Sequence, residues 1–471
     1  MPTTIAWIRR DMRLHDSAVL ATAMARPHAV QPVFVFDTSI LARFHHARDR
    51  RLTFLAETLC AMHKTLAGKG GGMLVLHGNP TTDIPKLSHV LGDAHIIAAE
   101  DFEPEARARD ASVSRAVGSD RFAWVLDHLL VHPSENLKND GTPFRVFTPF
   151  SKSLFSRLTP IAYAPCDVYD TGRSAVFADT VAKAKKTGLK TLDCSHGPKA
   201  MLAAIGYEYE GDALWTVDDA PQRLKRFATK HITDYKNDRD RMDHEGTSQL
   251  SPYLRFGLVS IRECMREAVK YSGAGPSTWI KELVWREFYA NILFHFPHVA
   301  KHEFQPQYRD LNWSYNEAHL KAFCEGKTGY PIVDAAMRQL LETGWMHNRA
   351  RMIVASFASK DLQLDWRLGE EHFAQYLMDY DLASNNGGWQ WASSVGTDAQ
   401  PYFRIFNPLL QSKKFDPDGE YIRRFVPELR SIKGSDIHAP EGLLRPRDYP
   451  APIVDHFTAK DAAIAMFKRS A

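Results

Sequence analysis

Val30-Gln31-Pro32-Val33-Phe34-Val35-Phe36, closed by Asp37, is a β-rich run and reads as a strand. Runs of the same kind lie on either side: Ile5 to Ile8 before it, then Met73-Leu74-Val75-Leu76, His95 to Ala99 and Phe122 to Leu126 after it. The segments between them have helical length and helical punctuation. Ser17 caps a short helix, and an amphipathic helix near Arg50 to Leu66 is stopped by Gly70-Gly71-Gly72. Further helices follow Thr82 and span Pro104 to about Val117. Parallel strands need such crossover connections. The alternation therefore predicts an α/β domain over residues 1–130, a doubly wound parallel sheet of Rossmann-like type. Ligands of such sheets sit beyond the carboxyl ends of the strands. The loops Arg9-Arg10-Asp11-Met12-Arg13 and Asp101-Phe102-Glu103 either face a site there or carry solvated charge. No Gly-x-Gly-x-x-Gly follows the first strand, so a standard dinucleotide site is not supported.

The chain has 471 residues, more than one core usually serves, so at least two domains are expected. With 44% hydrophobic and 24% charged residues the composition is that of an ordinary globular protein. No stretch approaches the roughly 20 apolar residues of a membrane helix. The start Met1-Pro2-Thr3-Thr4-Ile5-Ala6-Trp7 lacks the basic-then-apolar order of a signal peptide, so a cytoplasmic protein is expected. Cys60, Cys166, Cys194, Cys264 and Cys324 form no Cys-x-x-Cys pair, which argues against a disulfide framework or a zinc site. A net charge of +3 does not announce nucleic acid, so any such site must come from local patterning.

From 131 to 206 the periodicity weakens and Pro, Thr, Lys and Asp accumulate, as in a long connector. From 207 to 471 the chain reads as helix after helix. Pro331 sits at a first-turn position, Ile332, Val333, Ala336, Met337, Leu340 and Leu341 make one apolar face, and Gly344 stops the helix. A second helix carries Met346 to Ser359. The predicted fold class is thus α/β followed by all-α.

Within the helical part lies Asp379-Tyr380-Asp381-Leu382-Ala383-Ser384-Asn385-Asn386-Gly387-Gly388-Trp389-Gln390-Trp391, continuing through Gly396-Thr397-Asp398 to Pro401-Tyr402-Phe403-Arg404-Ile405-Phe406-Asn407-Pro408. Amides, indoles and glycines so concentrated describe a wall offering aromatic faces and amide dipoles to a flat, polar-edged ring, such as a redox cofactor or a nucleobase. The bland alternative is a Gly-kinked loop with structural tryptophans.

That run, with Gly246-Thr247-Ser248-Gln249-Leu250-Ser251-Pro252-Tyr253-Leu254, Glu282-Leu283-Val284-Trp285-Arg286-Glu287-Phe288-Tyr289, Gly329-Tyr330-Pro331-Ile332-Val333-Asp334-Ala335-Ala336-Met337-Arg338 and Gly344-Trp345-Met346-His347-Asn348-Arg349, resembles the DNA photolyase/cryptochrome family, class I cyclobutane pyrimidine dimer photolyases above all. The resemblance covers nearly the whole chain. It implies a helical FAD-binding domain, an antenna pigment in the N-terminal domain, and light-driven electron transfer that repairs pyrimidine dimers in duplex DNA.

Carried over residue by residue, the resemblance assigns Thr247, Ser248, Gln249, Leu250 and Ser251 to the FAD phosphates, with Tyr235 and Trp279 as further contacts. Asn385 matches the position facing flavin N5, Asp379 and Asp381 match flavin-contacting positions, and Arg351 is expected to pair with Asp379. Trp313, Trp366 and Trp389 match the electron relay. Glu282, Trp285, Asn348, Arg349, Met352 and Trp391 match the lesion pocket, where the two tryptophans flank a flipped dimer and Glu282 meets the pyrimidine edge. Arg239 resembles a DNA contact, while Lys413 and Lys414 join a positive rim or are ordinary solvated lysines. Lys301 matches a folate-contacting lysine, but Glu105-Ala106 stands where folate-using relatives have adjacent Asn-Glu. Methenyltetrahydrofolate is the favoured antenna pigment and a deazaflavin the other. No metal is expected, and nothing in the sequence demands assembly beyond a monomer. The competing class is a blue-light-sensing cryptochrome that repairs nothing. A (6-4) photoproduct enzyme or a DASH-type enzyme fits the pocket residues less well.

Overall fold

The strands form where the β-rich runs predict them: β1 (Thr3–Trp7), β2 (Ala29–Asp37), β3 (Leu74–Gly78), β4 (His95–Ala99) and β5 (Phe122–Val125). The computed structural model describes residues 2–166, 177–211 and 214–470, so part of the expected connector, residues 167–176, lies outside the described residues. A sixth strand, β6 (Thr191–Leu192), pairs antiparallel with β3, giving the order β5-β4-β1-β2-β3-β6. The sheet is therefore mixed rather than wholly parallel. Two residues inside a polar segment carry no periodicity by which β6 could be read.

Chain order reverses beside β1, which pairs with β2 on one side and β4 on the other. The loops after β1 and β4 meet at this switch point, where ligands of such sheets bind. Their charges are paired with each other rather than merely solvated. Arg10 Nη1 lies 3.5 Å from Asp101 Oδ1 and 3.3 Å from Glu103 Oε1, and Arg9 bonds Asp110. Ser17 caps the helix Ala18–Met24, and the crossover helix Pro104–Val117 has the predicted ends.

Beneath these loops Asp127, whose side chain is fully buried, receives Arg13 Nη2 at 2.7 Å and Arg262 Nη2 at 3.0 Å. Arg262 also reaches Asp16 at 3.0 Å. The cluster ties residues 11–18, the end of β5 and the helix Ile261–Ala268 into one packed body.

Contacts group the chain into two units: Met1–Asn136 with Ser153–Ala228 and Gln249–Lys270, and Leu137–Lys152 with Thr229–Ser248 and Tyr271–Ala471. The expected divisions at 130 and 206 do not coincide with these cuts. Helical residues just past 206 bury against the sheet unit, where Trp215 and Phe54 both meet the Tyr253 ring, at 6.1 and 5.9 Å. Helical periodicity reports that a face is apolar, not what covers it.

The second unit is helical. Its elements are α1 (Ala274–His295), α2 (Pro331–Thr343), α3 (Asn348–Ser356), α4 (Trp366–Tyr376), α5 (Leu382–Ala392) and α6 (Pro408–Phe415). Pro331 opens α2 and Gly344 ends it at φ +67°, as predicted. The helix expected through Ser359 instead stops being α-helical at Ser356 and continues as a π-helical turn, Phe357–Asp361. No helix among the described residues is long and apolar enough to cross a membrane.

Burial would raise the Asp127 pKa, but Arg13 and Arg262 outweigh it and hold it down at about 2. A depressed carboxylate contributes stability above its unfolded pKa and loses it as pH falls through the folded one. Stability should accordingly decline between about pH 4 and pH 2. Asp127→Ala, which strands two arginines, should cost about 3–5 kcal/mol in denaturant unfolding. A cost near zero would show that the cluster contributes nothing to holding this unit together.

Candidate functional site

The α5 helix organises the helical unit's polar and aromatic side chains. Asp381 caps it, accepting from the Ser384 N–H at 3.0 Å. Asn385 Nδ2 donates to the Glu370 carbonyl at 3.1 Å, which turns its oxygen away from that carbonyl and leaves it as an acceptor. The other amides of the stretch are committed differently. Asn386 Nδ2 and Gln390 Nε2 both donate to the Val299 carbonyl at 2.9 Å, so they fasten α5 to the backbone rather than form a wall for a ligand. Gly387 makes room for Tyr289, whose Cδ1 would lie 2.1 Å from an added Cβ.

Arg351 and Asp379 pair as predicted, Nη2 to Oδ2 at 2.7 Å. Asp379 is buried, yet its Oδ1 has no partner among the described residues. An orphaned buried carboxylate oxygen carries a desolvation penalty unless something polar meets it. That vacancy in hydrogen bonding, with Asn385 nearby on the next helix, fits the hydrogen-bonding edge of a flavin ring.

The three tryptophans expected to form a relay lie on or beside α4. Trp366 opens α4 and Gly369 lies one turn on, where an added Cβ would stand 2.0 Å from Trp389 Cη2. Trp389 is thus packed against the turn that bears Trp366. The strand-like residue Ser314 donates to the Gln363 carbonyl at 2.8 Å, setting Trp313 beside the chain that enters α4. Trp366 and Trp389 are buried, at 0% and 2% exposure, whereas Trp313 is half-buried. Trp366 Nε1 donates to Glu303 at 3.1 Å; the Trp313 and Trp389 indole N–H groups have no partner among the described residues.

Glu282 and Trp285 lie three residues apart on α1, hence on one face. Burial raises the Glu282 pKa, against the pull of Arg239, which forms an ion pair with it. Arg239 also approaches Asp240 at 3.8 Å, and Asp240 holds Arg349 at 2.9 Å. Arg349 is further committed by its guanidinium, 4.4 Å from the Phe415 ring centroid. It is therefore a paired, stacked cation. Asn348 is exposed at the start of α3 and its amide reaches Met352 Sδ at 3.8 Å. Trp285, Met352 and Trp391 are half-buried, consistent with faces open to a ligand.

Tyr235 and Trp279 are buried in the helical unit. The segment Thr247 to Ser251 crosses from one unit to the other. Ser251 starts the helix Ser251–Phe256, Gln249 takes φ +50°, and its Oε1 accepts from Arg223 at 2.9 Å. Lys301 is exposed in the helical unit, and Glu105 is exposed in the sheet unit, paired with Arg43. Lys413 and Lys414 are exposed in the last turn of α6.

Sequence reasoning missed Asp240, Glu370 and Phe147. Asp240 was detectable as the acid beside Arg239. Glu370 is half-buried, and desolvation of its carboxyl pushes its pKa up to about 7, against a hydrogen bond from Asn386. Phe147, in the segment read as connector, stacks on Trp285 with centroids 3.6 Å apart and planes at 2°.

Two family models match, DNA photolyase over residues 4–167 and the FAD binding domain of DNA photolyase over residues 279–469. The deoxyribodipyrimidine photo-lyase of Alkalihalophilus pseudofirmus is 37% identical, over 98% of this chain and 97% of its own. A bacterial class III photolyase from Agrobacterium tumefaciens superposes with a TM-score of 0.87 at 32% identity, covering 100% of this chain and 97% of that one. A Synechocystis cryptochrome gives 0.85 at 26% identity, with 99% coverage of both.

Because Gly387 leaves no room beyond hydrogen, Gly387→Ala should destabilise the protein by about 1–3 kcal/mol. Thermal unfolding would measure it, and an unchanged midpoint would mean that Tyr289 has space to retreat.

Proposed function

Since the chain belongs to the DNA photolyase family, we propose that it is a deoxyribodipyrimidine photo-lyase that splits cyclobutane pyrimidine dimers in DNA. The observation that carries this reading is the α1 face on which a partly buried Glu282, its pKa raised, stands one turn from the stacked indole of Trp285. A thymine dimer has stackable rings and carbonyl edges, and such a pair meets both.

Reduced FAD, when bound, supplies an electron on excitation by light and takes it back after the ring opens. Arg351 and Asp379 would hold its polar edge, with Asn385 offering an amide oxygen to it, and Tyr235, Trp279, Thr247 and Ser248 would hold the remainder. Trp285 and Trp391 stack on the extruded dimer, whose damaged pairing lowers the cost of flipping. Glu282, its pKa raised by burial, would meet the pyrimidine edge, donating to a carbonyl when protonated or accepting from a ring N–H when ionised. Arg239 sets how readily Glu282 keeps that proton, because their ion pair favours the carboxylate. Trp313, Trp366 and Trp389 would pass electrons inward from the half-buried Trp313 to an oxidised flavin. An antenna pigment in the N-terminal unit, methenyltetrahydrofolate or a deazaflavin, broadens the light absorbed.

The fold likeness to a cryptochrome supports signalling as the second reading. Flavin-reduced protein mixed with a thymine-dimer duplex should restore intact thymines in near-ultraviolet or blue light and not in darkness. Flavin that photoreduces without dimer splitting would favour signalling. Trp389→Phe should block photoreduction while leaving repair by pre-reduced protein intact, and loss of that repair would remove the relay assignment. Glu282→Ala should lower repair yield about tenfold, the scale of a hydrogen bond to a charged group, with a smaller effect on dimer affinity. Equal losses in both would sink its assigned role.

A further inference from the structure

We propose that Phe147 is a positioning residue for the lesion-binding indole of Trp285, itself held by the Thr397–Asp398 turn. The inference rests on the reading of Trp285 as an aromatic plate for the dimer.

The Phe147 and Trp285 rings are nearly coplanar in direction, at 2°, with centroids 3.6 Å apart. Phe288 stands almost perpendicular to both, 5.8 Å from Phe147 at 80° and 5.6 Å from Trp285 at 82°. Phe150 packs behind Phe288 at 5.2 Å. Trp285 thus has one face covered by Phe147 and one edge against Phe288, with Tyr289 also approaching it at 5.7 Å and 32°. A base can stack only on the other face, and the indole cannot tilt away from it without breaking the Phe147 contact.

What holds Phe147 is separate from the aromatic cluster. Its backbone N–H donates to Asp398 Oδ2 at 3.0 Å, at the start of the helix Phe147–Arg157, where a carboxylate is favoured by the helix dipole. Thr397 Oγ1 donates to the Arg145 carbonyl at 2.6 Å. Asp398 adopts φ +46°, a left-handed conformation uncommon outside glycine. Thr397 and Asp398 follow closely on α5, the helix that ends with Trp391 and Ala392. One short turn therefore joins the element carrying Trp391 to the support of Trp285, so the spacing of the two proposed plates is set through Phe147 rather than by α1 alone.

The test is dark binding of a fluorescein-labelled duplex containing one thymine dimer, followed by anisotropy, with the FAD-loaded full chain. Trp285→Ala, Phe147→Ala, Phe147→Leu and Phe147→Tyr are compared, each checked by thermal midpoint and bound-flavin absorbance. Phe147→Leu keeps apolar volume without a flat ring, so it decides the matter if Phe147→Ala does not fold. Loss of the stack should weaken dimer binding about threefold to tenfold, the range of an aromatic pair. Affinity for undamaged duplex should not move, and Phe147→Tyr should restore the wild-type value. Asp398→Asn, which keeps an acceptor but removes the charge, should fall between Phe147→Leu and wild type. Dimer binding that is unchanged or tighter in Phe147→Leu, while Trp285→Ala is weakened, overturns the inference and leaves the lesion plate standing. If Trp285→Ala binds dimer as well as wild type, the plate reading fails and the inference with it.

Discussion

The helical unit depends on how closely α5 can approach its neighbours. Tyr289 of α1 occupies the space a Gly387 side chain would need, and Trp389 occupies the space a Gly369 side chain would need on α4. Interiors packed to crystal density do not absorb an extra methyl without displacement. These two contacts fix the rotation and height of α5. Once they are set, Asn385, Trp389 and Trp391 have fixed directions, and the amides of Asn386 and Gln390 lock the helix by a shared bond to the Val299 carbonyl.

Burial acts on the acids of this chain in two opposite ways, and the partners decide which. Asp127 is buried against two arginines and stays ionised, which suits a structural joint. Glu282 meets one arginine and Glu370 meets an amide, so burial prevails and both hold protons more readily. Acids whose ionisation is balanced rather than forced are the ones available for chemistry near neutral pH. Asp240, 3.8 Å from Arg239, also raises the Glu282 pKa and so offsets part of the pull of Arg239.

Local features were legible in the sequence. The β-rich runs located β1 to β5, Ser17 caps the helix it precedes, and Pro331 with Gly344 bounded α2. The Arg351–Asp379 pair was also foreseen, because a buried carboxylate requires a cation. The rest depended on partners far apart in the chain. β6 is two residues long, the π-helical turn after Ser356 has no compositional mark, and Arg349 finds Asp240 across 109 residues.

By itself the sequence determined the classes and order of most elements and marked candidate site residues, since strand and helix periods, caps and stops are written within a few neighbours. Only the tertiary structure decided what each of those residues faces. Phe147 on Trp285, Asp398 under Phe147, and Trp389 in the notch of Gly369 are contacts between segments with no shared period. Such contacts arise when apolar faces select one another to exclude water and fill space, a choice made by the whole core at once.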